Sequence, residues 1–447
     1  MLVSFLAGML AIGLTALCLP YFNLLTGKDM ALTWEMAGAL ITTAVLAGLI
    51  SGSYPALYFS NVSPIQAFKA QSARVRQTLV VIQFTITIAL ALGTVVVYRQ
   101  VRYAQRRPVG YTRGGLIRVT MNTADMYGLS YNALRSGLLA TGAVTDMAES
   151  SIPSTTAPTL DNDFSWEGKP PGYIPQMGVV GVTFDYGRTM QWQIREGRGF
   201  DRSFPSDTGG VVINEAAQRL MGFRVPTGKI IYIGGTPRVV LGVVRDMVMG
   251  SPYAPVQPTI FSLWKEGLNA MVVRLNPAMP LAAAIDRAAR VFRKFNPEAP
   301  FDYHFVDDEY AQKFMDEERS SRLVALFAGF ALFISCMGLF GLASFMTEQR
   351  TREIAVRRVL GADVRHLWAL LAGGFARLVV IACTIAIPLS YWVMRHWLRQ
   401  YAYKAPLAWW VFILIPAATL LLAVATVSYQ TLKAALTKPS AGLKADA

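Results

Sequence analysis

Cysteine and histidine are scarce, with three of each in 447 residues. Cys18, Cys336 and Cys383 fall inside apolar runs, so they read as small buried hydrophobes and argue against a disulfide framework. His304, His366 and His396 lie far apart and show no ligand spacing; no metal site and no cofactor are expected. Charge is sparse as well. Asp, Glu, Lys and Arg make up 16% of the chain against 53% hydrophobic residues, and the mean hydropathy is +0.37. That balance argues against an ordinary soluble enzyme and for an integral membrane protein. The patterns G-x-x-x-x-G-K-[ST], H-E-x-x-H and G-x-S-x-G are all missing, which leaves no motif for nucleotide, zinc-dependent or serine hydrolysis.

Lys and Arg exceed Asp and Glu by 14. No single basic block dominates, and cations flanking membrane spans explain such an excess, so no nucleic-acid partner is expected. Six apolar stretches, near 2–25, 34–59, 78–98, 323–346, 378–397 and 408–431, reach the roughly 20 residues a helix needs to cross a bilayer. The first lacks the basic n-region and cleavage site of a signal peptide and reads as a span. Six spans put both termini on one side. Loop 60–77 carries Lys69, Arg74 and Arg76 without an acid, the tail carries Lys433, Lys438 and Lys444, and 347–365 is rich in arginine. The positive-inside rule therefore makes these loops and both termini cytoplasmic. Arg99, Arg102, Arg106 and Arg107 run against the rule; they read as the exposed face of a helix continuing outward toward a long translocated domain.

The expected fold class is an α-helical integral membrane protein of about six transmembrane helices with one mixed α/β extracytoplasmic domain. The domain occupies 108–318. GGLIRVTM (114–121), GGVVINEA (209–216) and PRVVLGVVRDM (237–247) are β-branched runs edged by glycine or proline and read as strands. SYNALRSGLLA (130–140) and PLAAAIDRAARVFRKF (280–295) have helical apolar spacing. Residues 151–175, rich in Ser, Thr, Pro and Gly, read as loop between two subdomains. DDEYAQKFMDEERSSR (307–322) reads as one helix leading back to the membrane, with Asp307 as its cap. A catalytic cluster of His304, Asp307, Asp308 and Glu309 is the alternative for this stretch; acids gathered in a helix's first turn by its dipole are the simpler account.

Residues 53–70 align without gaps to 428–445, matching at Ser53/Ser428, Tyr54/Tyr429, Leu57/Leu432, Pro64/Pro439, Lys69/Lys444 and Ala70/Ala445. Such parallel repeats are common in transport proteins. The first copy holds only a two-span hairpin, while the second also has an external domain and a charged segment, so the chain is expected to be the back part of a longer protein. The domain reading is 1–77, hairpin; 78–107, span and stalk; 108–318, external domain; and 319–447, permease domain with three spans.

The charged segment TEQRTREIAVRRVLGA (347–362) holds four arginines and two glutamates directly after an apolar run. A helix over 348–360 places Ala355, Val356 and Val359 on one arc and Arg350, Glu353 and Arg357 on a largely opposite side. Glu353 precedes Arg357 by four residues, the favourable order for a pair, and Gly361 supplies a stop. Contact with lipid headgroups is the bland alternative. The mixed signs favour a protein partner, since an acid suits anionic lipid poorly.

This segment resembles the cytoplasmic signature of MacB/FtsX-like ABC transporter permeases, close to E-R-T-K-E-I-G-I-R-K-A-L-G-A. Glu353, Ile354, Arg357, Leu360, Gly361 and Ala362 match it, while Ala355 replaces glycine and Arg358 replaces lysine. REGRGFD (195–201), VVINEAA (211–217), LMGF (220–223) and GVVRDM (242–247) resemble the family's periplasmic core domain. The closest likeness is to duplicated eight-span members with an external domain in each half. The resemblance implies a non-catalytic permease subunit in the bacterial inner membrane, coupled to a separate cytoplasmic ABC ATPase and transmitting force for export or extraction. Glu348, Arg350, Glu353, Ile354, Arg357, Arg358 and Gly361 would form the ATPase-docking surface. A homodimer or paired permease is implied, and a periplasmic adaptor is admitted. Two rival readings fit less well. A membrane-anchored sensor with an extracytoplasmic ligand-binding domain would need a cytoplasmic output module. A secondary transporter would need ionisable residues deep in its spans, whereas Glu35, Arg377, Arg395 and His396 lie near span ends.

Overall fold

The computed structural model describes residues 2–61, 71–121, 131–349 and 363–436. It forms two compact units, one of residues 1–101, 316–400 and 405–447, the other of 102–315 with 401–404.

The first unit is helical: α1 (Leu2–Thr26), α2 (Trp34–Asn61), α3 (Gln71–Gln105), and, after the second unit, helices over Met315–Gln349, Val364–Leu398 and Val411–Leu436. Among the described residues, five of these are long and apolar enough to span a membrane, and α2 contributes a shorter apolar stretch, Trp34–Ile50. Phe84, Ile88 and Leu92, four residues apart on α3, are fully buried and pack with Leu339, Ala343, Val379, Ala382 and Val427. This is the i, i+4, i+8 stripe of a helix with one packed face. Outward-facing residues such as Leu6, Leu10 and Leu17 are exposed, as a lipid-facing helix requires. Thr87 and Ser335, both buried, share a hydroxyl hydrogen bond of 2.8 Å across two of the helices, a polar contact of the kind that joins membrane helices. Within the helix over Met315–Gln349, a Cβ at Gly338 would lie 3.1 Å from Gln83 Oε1, whereas Gly329 and Gly341 face open space.

The second unit is built on one twelve-stranded sheet in two lobes. In the first lobe β1 (Leu116–Thr120) lies between β11 (Ala270–Leu275) and β12 (Tyr303–Phe305), and β2 (Val144–Ser150) flanks β11, all antiparallel. Helices α4 (Tyr131–Ala140) and α7 (Leu281–Phe295) cover one face. Leu134, Leu138, Ala284, Ala288 and Phe292 meet Ile117, Val119, Met147, Met271 and Val273 there. The alternation along each strand and the four-residue spacing along each helix explain why these side chains converge.

The second lobe orders β5 (Met177–Val182), β10 (Thr259–Leu263), β7 (Gly210–Asn214), β9 (Thr236–Val244), β8 (Ile230–Ile233) and β4 (Phe164–Trp166), with β3 (Leu160–Asp161) added to β5 and β6 (Ile194–Gly197) to β9. Phe164, Trp166, Val211, Ile213, Ala217, Val243 and Ile260 form its core. The two lobes share a single register pair, Ser150 with Val182.

Two sequence expectations change here. Residues 151–175 are not uniformly loop: Phe164 and Trp166 are buried either side of exposed Ser165, a strand too short to emerge from its Ser/Thr/Pro background. The stretch 307–322 is not one helix either. It divides into α8 (Val306–Gln312) and α9 (Met315–Gln349), because Lys313 turns to backbone carbonyls elsewhere in the domain and Phe314 is buried. Asp307 is not the cap; Phe305 is the N-cap residue, without a side-chain bond, and Asp307 stands in the first turn 3.5 Å from Arg113. The remaining helices are α5 (Tyr186–Met190), α6 (Glu215–Met221), α10 (Val364–Leu398) and α11 (Val411–Leu436).

Candidate functional site

The docking segment lies outside the described residues: Arg350, Glu353, Ile354, Arg357, Arg358 and Gly361 all fall in 350–362. So do 437–445 of the second repeat copy and 62–70 of the first. Glu348 is described as part of the last turn of α9. The helices on either side of the segment are tied to the same place on α11. Phe340 of α9 stacks on Tyr429 at 6.5 Å, and Trp368 of α10 donates a 2.9 Å hydrogen bond to Ser428 Oγ. On α3, Arg76 lies 4.3 Å from the centre of the Phe345 ring. The charged segment thus follows α9 and precedes α10, two helices that contact α11 at neighbouring residues, Phe340 at Tyr429 and Trp368 at Ser428.

In the second unit the family-like stretches assemble the fold. β7 ends in Asn214, whose side chain caps α6 by accepting from Ala217 N, and Gly222 closes the helix at φ 71°. Asp246, just beyond β9, accepts from Ala216 N at 2.7 Å, while Glu215 accepts from Asp246 N at 3.1 Å. VVINEAA and GVVRDM therefore meet because β7 and β9 are parallel neighbours. In REGRGFD, Arg198 grips fully buried Asp207 with two bonds of 2.5 and 2.6 Å. Gly197 has φ 67°, and a Cβ there would fall 2.3 Å from Leu241 O, so only glycine fits this crossing.

Chemistry-bearing groups that the sequence did not point to sit near the junction of the lobes. Asp146 and Asp185 are almost fully buried and face three guanidiniums. Asp146 accepts from Arg135 Nη2 and Arg188 Nε, each at 2.6 Å. Asp185 accepts from Arg188 Nη2 at 2.7 Å, Arg202 Nη2 at 2.6 Å and Tyr131 OH at 2.8 Å. Burial alone would raise the Asp185 carboxyl; hydrogen bonds from Arg202 and Tyr131, with the charges of Arg135 and Arg202, outweigh it and hold the group below the usual carboxylate range. Beside this network lies a cavity of about 400 Å³ with Trp192, Phe200 and Phe184 among its walls and Arg188, Arg202, Asp185 and Asp201 as its charged lining. The available sequence signal was Asp185 three residues before Arg188, an ion pair at helical spacing.

A second group holds the loop around residues 249–257. Lys313 Nζ donates to the carbonyls of Thr155, Met249 and Gly250 at 2.5, 2.5 and 2.7 Å. Burial pushes this ammonium down to about 8, with Glu309 pulling the other way. Arg107 Nη1 donates to the carbonyls of Pro252 and Ala254 at 2.7 and 2.9 Å. Tyr403 stacks on Tyr103 at 4.7 Å, lies 4.6 Å from the Arg107 guanidinium, and donates its amide to Tyr253 O at 3.3 Å. The suspected acid cluster does not converge: Glu309 pairs with Arg118 at 2.6 Å, Asp307 with Arg113, and His304 lies 3.6 Å from Asp302.

Two family models match the chain, the MacB-like periplasmic core domain over residues 78–291 and the FtsX-like permease C-terminal domain over 325–439. Among curated relatives, the macrolide export ATP-binding/permease protein MacB of Chromobacterium violaceum is 24% identical over 226 residues, covering 48% of this chain and 35% of that protein. The uncharacterized ABC transporter permease YknZ of Bacillus subtilis is 22% identical over 201 residues, 41% of this chain and 49% of that protein. The chain thus spans from about a third to half the length of these relatives. The solved periplasmic region of MacB from Actinobacillus actinomycetemcomitans matches at 12% identity and a TM-score of 0.34, covering 47% of this chain and 96% of that one; at that score the likeness carries no argument. With the two models taking in most of its length, the chain belongs to the MacB/FtsX-like permease family of ABC transporters, as a multi-pass inner-membrane protein.

Proposed function

We propose that this chain is a non-catalytic permease subunit, driven by a separate cytoplasmic ABC ATPase through the segment 348–360. The observation that carries the reading is the mixed-charge signature TREIAVRRVLGA, set between two helices that contact α11 at Tyr429 and Ser428. A displacement of the segment would move α9 and α10 jointly, because both helices pack on α11 at neighbouring residues. α3 and α9 would carry that displacement to the domain at 108–318, with both termini and the segment cytoplasmic. Thirty residues of α3, Arg76–Gln105, and thirty-three of α9, Met315–Thr347, form continuous helix, several more than the roughly 20 that cross a bilayer. The surplus supports a stalk. The division into 1–77, 78–107, 108–318 and 319–447 belongs to this reading, as do pairing with a second permease copy and the use of a periplasmic adaptor. The ATP-binding/permease name of the MacB relatives supports an ATPase partner, and export by those proteins supports an export or extraction role here.

The experiment is Glu353→Arg. Loss of the pair with Arg357 costs the helix only about 0.2–0.5 kcal/mol, so the variant should reach the membrane at normal levels. At an interface the reversal places like charges together at a cost of several kcal/mol, and the ATPase should no longer co-purify. Normal association and ATPase activity with this variant would rule out the charged face as the docking surface.

A further inference from the structure

The cavity beside the buried network presents guanidinium donors that the network does not use. Three guanidiniums, those of Arg135, Arg188 and Arg202, face two buried carboxylates, Asp146 and Asp185. Bonds to those carboxylates occupy Nε and Nη2 of Arg188 and Nη2 of Arg202. Nη1 of each has no carboxylate bond. Both side chains are substantially exposed, 68% and 47%, and both line the cavity. The third carboxylate there, Asp201, takes the amide of Ser203 at 2.8 Å and forms no ion pair with either arginine among the described residues. The apolar wall is aromatic: Trp192 lies 6.4 Å from Phe200 and 4.9 Å from Phe261 between ring centres. The Trp192 Nε1–H is enclosed and has no acceptor among the described residues. About 400 Å³ is near the lower end of the range for small-molecule sites, in which a few fixed polar groups orient a largely apolar ligand.

We propose that this cavity binds an aromatic monocarboxylate, such as the C-terminal residue of a peptide, with the carboxylate on Arg188 and Arg202 and the ring against Trp192 and Phe200. A planar carboxylate matches guanidinium forks already held in place by Asp146 and Asp185, so little side-chain freedom is lost on binding. Arg188 and Arg202 are offset by Asp185 and Asp201 in the lining, so hydrogen bonds from the guanidiniums and not a net charge hold the carboxylate, and a monoanion is repelled least. A dianion would meet stronger repulsion from Asp201 at the same site. The proposal goes beyond the ATPase reading and does not depend on it, since every group involved belongs to the second unit.

Two isosteric probes separate charge from shape: N-acetylphenylalanine and its uncharged amide, titrated against the full chain in detergent by ligand-observed NMR. The acid should bind, with the amide about tenfold weaker or worse. Gly199→Leu fills the cavity at a backbone position where a Cβ would meet only Ile194 Cδ1, at 3.8 Å, and should abolish binding. Unchanged hydrogen-exchange protection of Tyr186–Met190 in this variant shows that the ion network survives. Asp201→Asn removes the repelling carboxylate and should tighten the acid roughly two- to fivefold at low salt, an effect that fades at high salt. No binding of the acid, equal binding of acid and amide, normal binding to a protected Gly199→Leu, or weaker binding to Asp201→Asn would each overturn the proposal.

Discussion

Asp185→Asn tests whether the lobe junction is held by charge. The side chain is 4% exposed and accepts three hydrogen bonds, two from guanidiniums. Asparagine keeps the shape, but its amide turns one acceptor into a donor facing an arginine. Removing one partner of a buried ion pair costs about 3–5 kcal/mol. Arg188 and Arg202 are partly exposed and can rehydrate, which reduces the loss to about 2–3 kcal/mol, or roughly 30- to 150-fold in the local opening equilibrium. Hydrogen exchange followed by mass spectrometry on the full chain reads this directly, as faster exchange in peptides covering Tyr186–Met190 and Tyr131–Ala140. Lys229→Gln is the control: its pair with Glu167 is exposed on both sides and is worth at most about 1 kcal/mol. The pH dependence has a definite sign. Because the folded Asp185 carboxyl is held below its unfolded value, its stabilisation is complete above the unfolded pKa and is lost as pH falls through the folded one. Unchanged protection in Asp185→Asn at neutral pH would refute the reasoning.

Glu149 on β2 behaves in the opposite way: burial raises its carboxyl from 4.5 to about 7. The folded state therefore binds the extra proton between those values, and stability falls as pH rises from 4.5 to 7. Glu149→Gln should match the wild type near pH 4.5 and exceed it by about 2–3 kcal/mol at pH 8; a constant difference in melting behaviour across this range would contradict it. For topology, cysteines placed at Ser206 and Thr351 should react with a membrane-impermeant thiol reagent from opposite sides, and labelling of both from one side would overturn the proposed orientation.

The spans were legible because one physical demand dominates them, the roughly 20 apolar residues needed to cross a bilayer, although α10 begins at Val364, well before the apolar core at 378. Helices α4 and α7 and strands β1, β7 and β9 could also be read, since each carries a complete period of buried positions. Phe164 and Trp166 could not, because a three-residue strand shows a single alternation. The break at Lys313 was hidden for another reason. Nothing local disfavours helix there; the lysine leaves it for carbonyls at positions 155, 249 and 250, far away in sequence. The same holds for the ion network, whose acids at 146 and 185 and arginines at 135, 188 and 202 come together only through the sheet. Its members look like ordinary surface charges until the fold buries them.

Arg99, Arg102, Arg106 and Arg107 run against the charge rule that otherwise orients the chain, and the structure supplies a reason for two of them. Arg107 is committed to two carbonyls of the 249–257 loop and to the face of Tyr403. Arg99 lies 5.3 Å from the centre of the Trp410 ring. Each of these contacts needs a long cationic side chain, and an arginine can offer both a fork of donors and a flat face to an aromatic ring. The positive-inside rule counts cations in short loops near span ends, and long domains translocate largely regardless of charge. Here α3 continues as helix to Gln105 and is followed by the long domain, whose translocation does not depend on charge, and packing has a specific use for Arg99 and Arg107. Charge therefore serves two separate ends in this chain. In the stretches 60–77 and 347–365 it supports a cytoplasmic placement, and around the end of α3 it fastens Arg99 and Arg107 to aromatic rings and carbonyls.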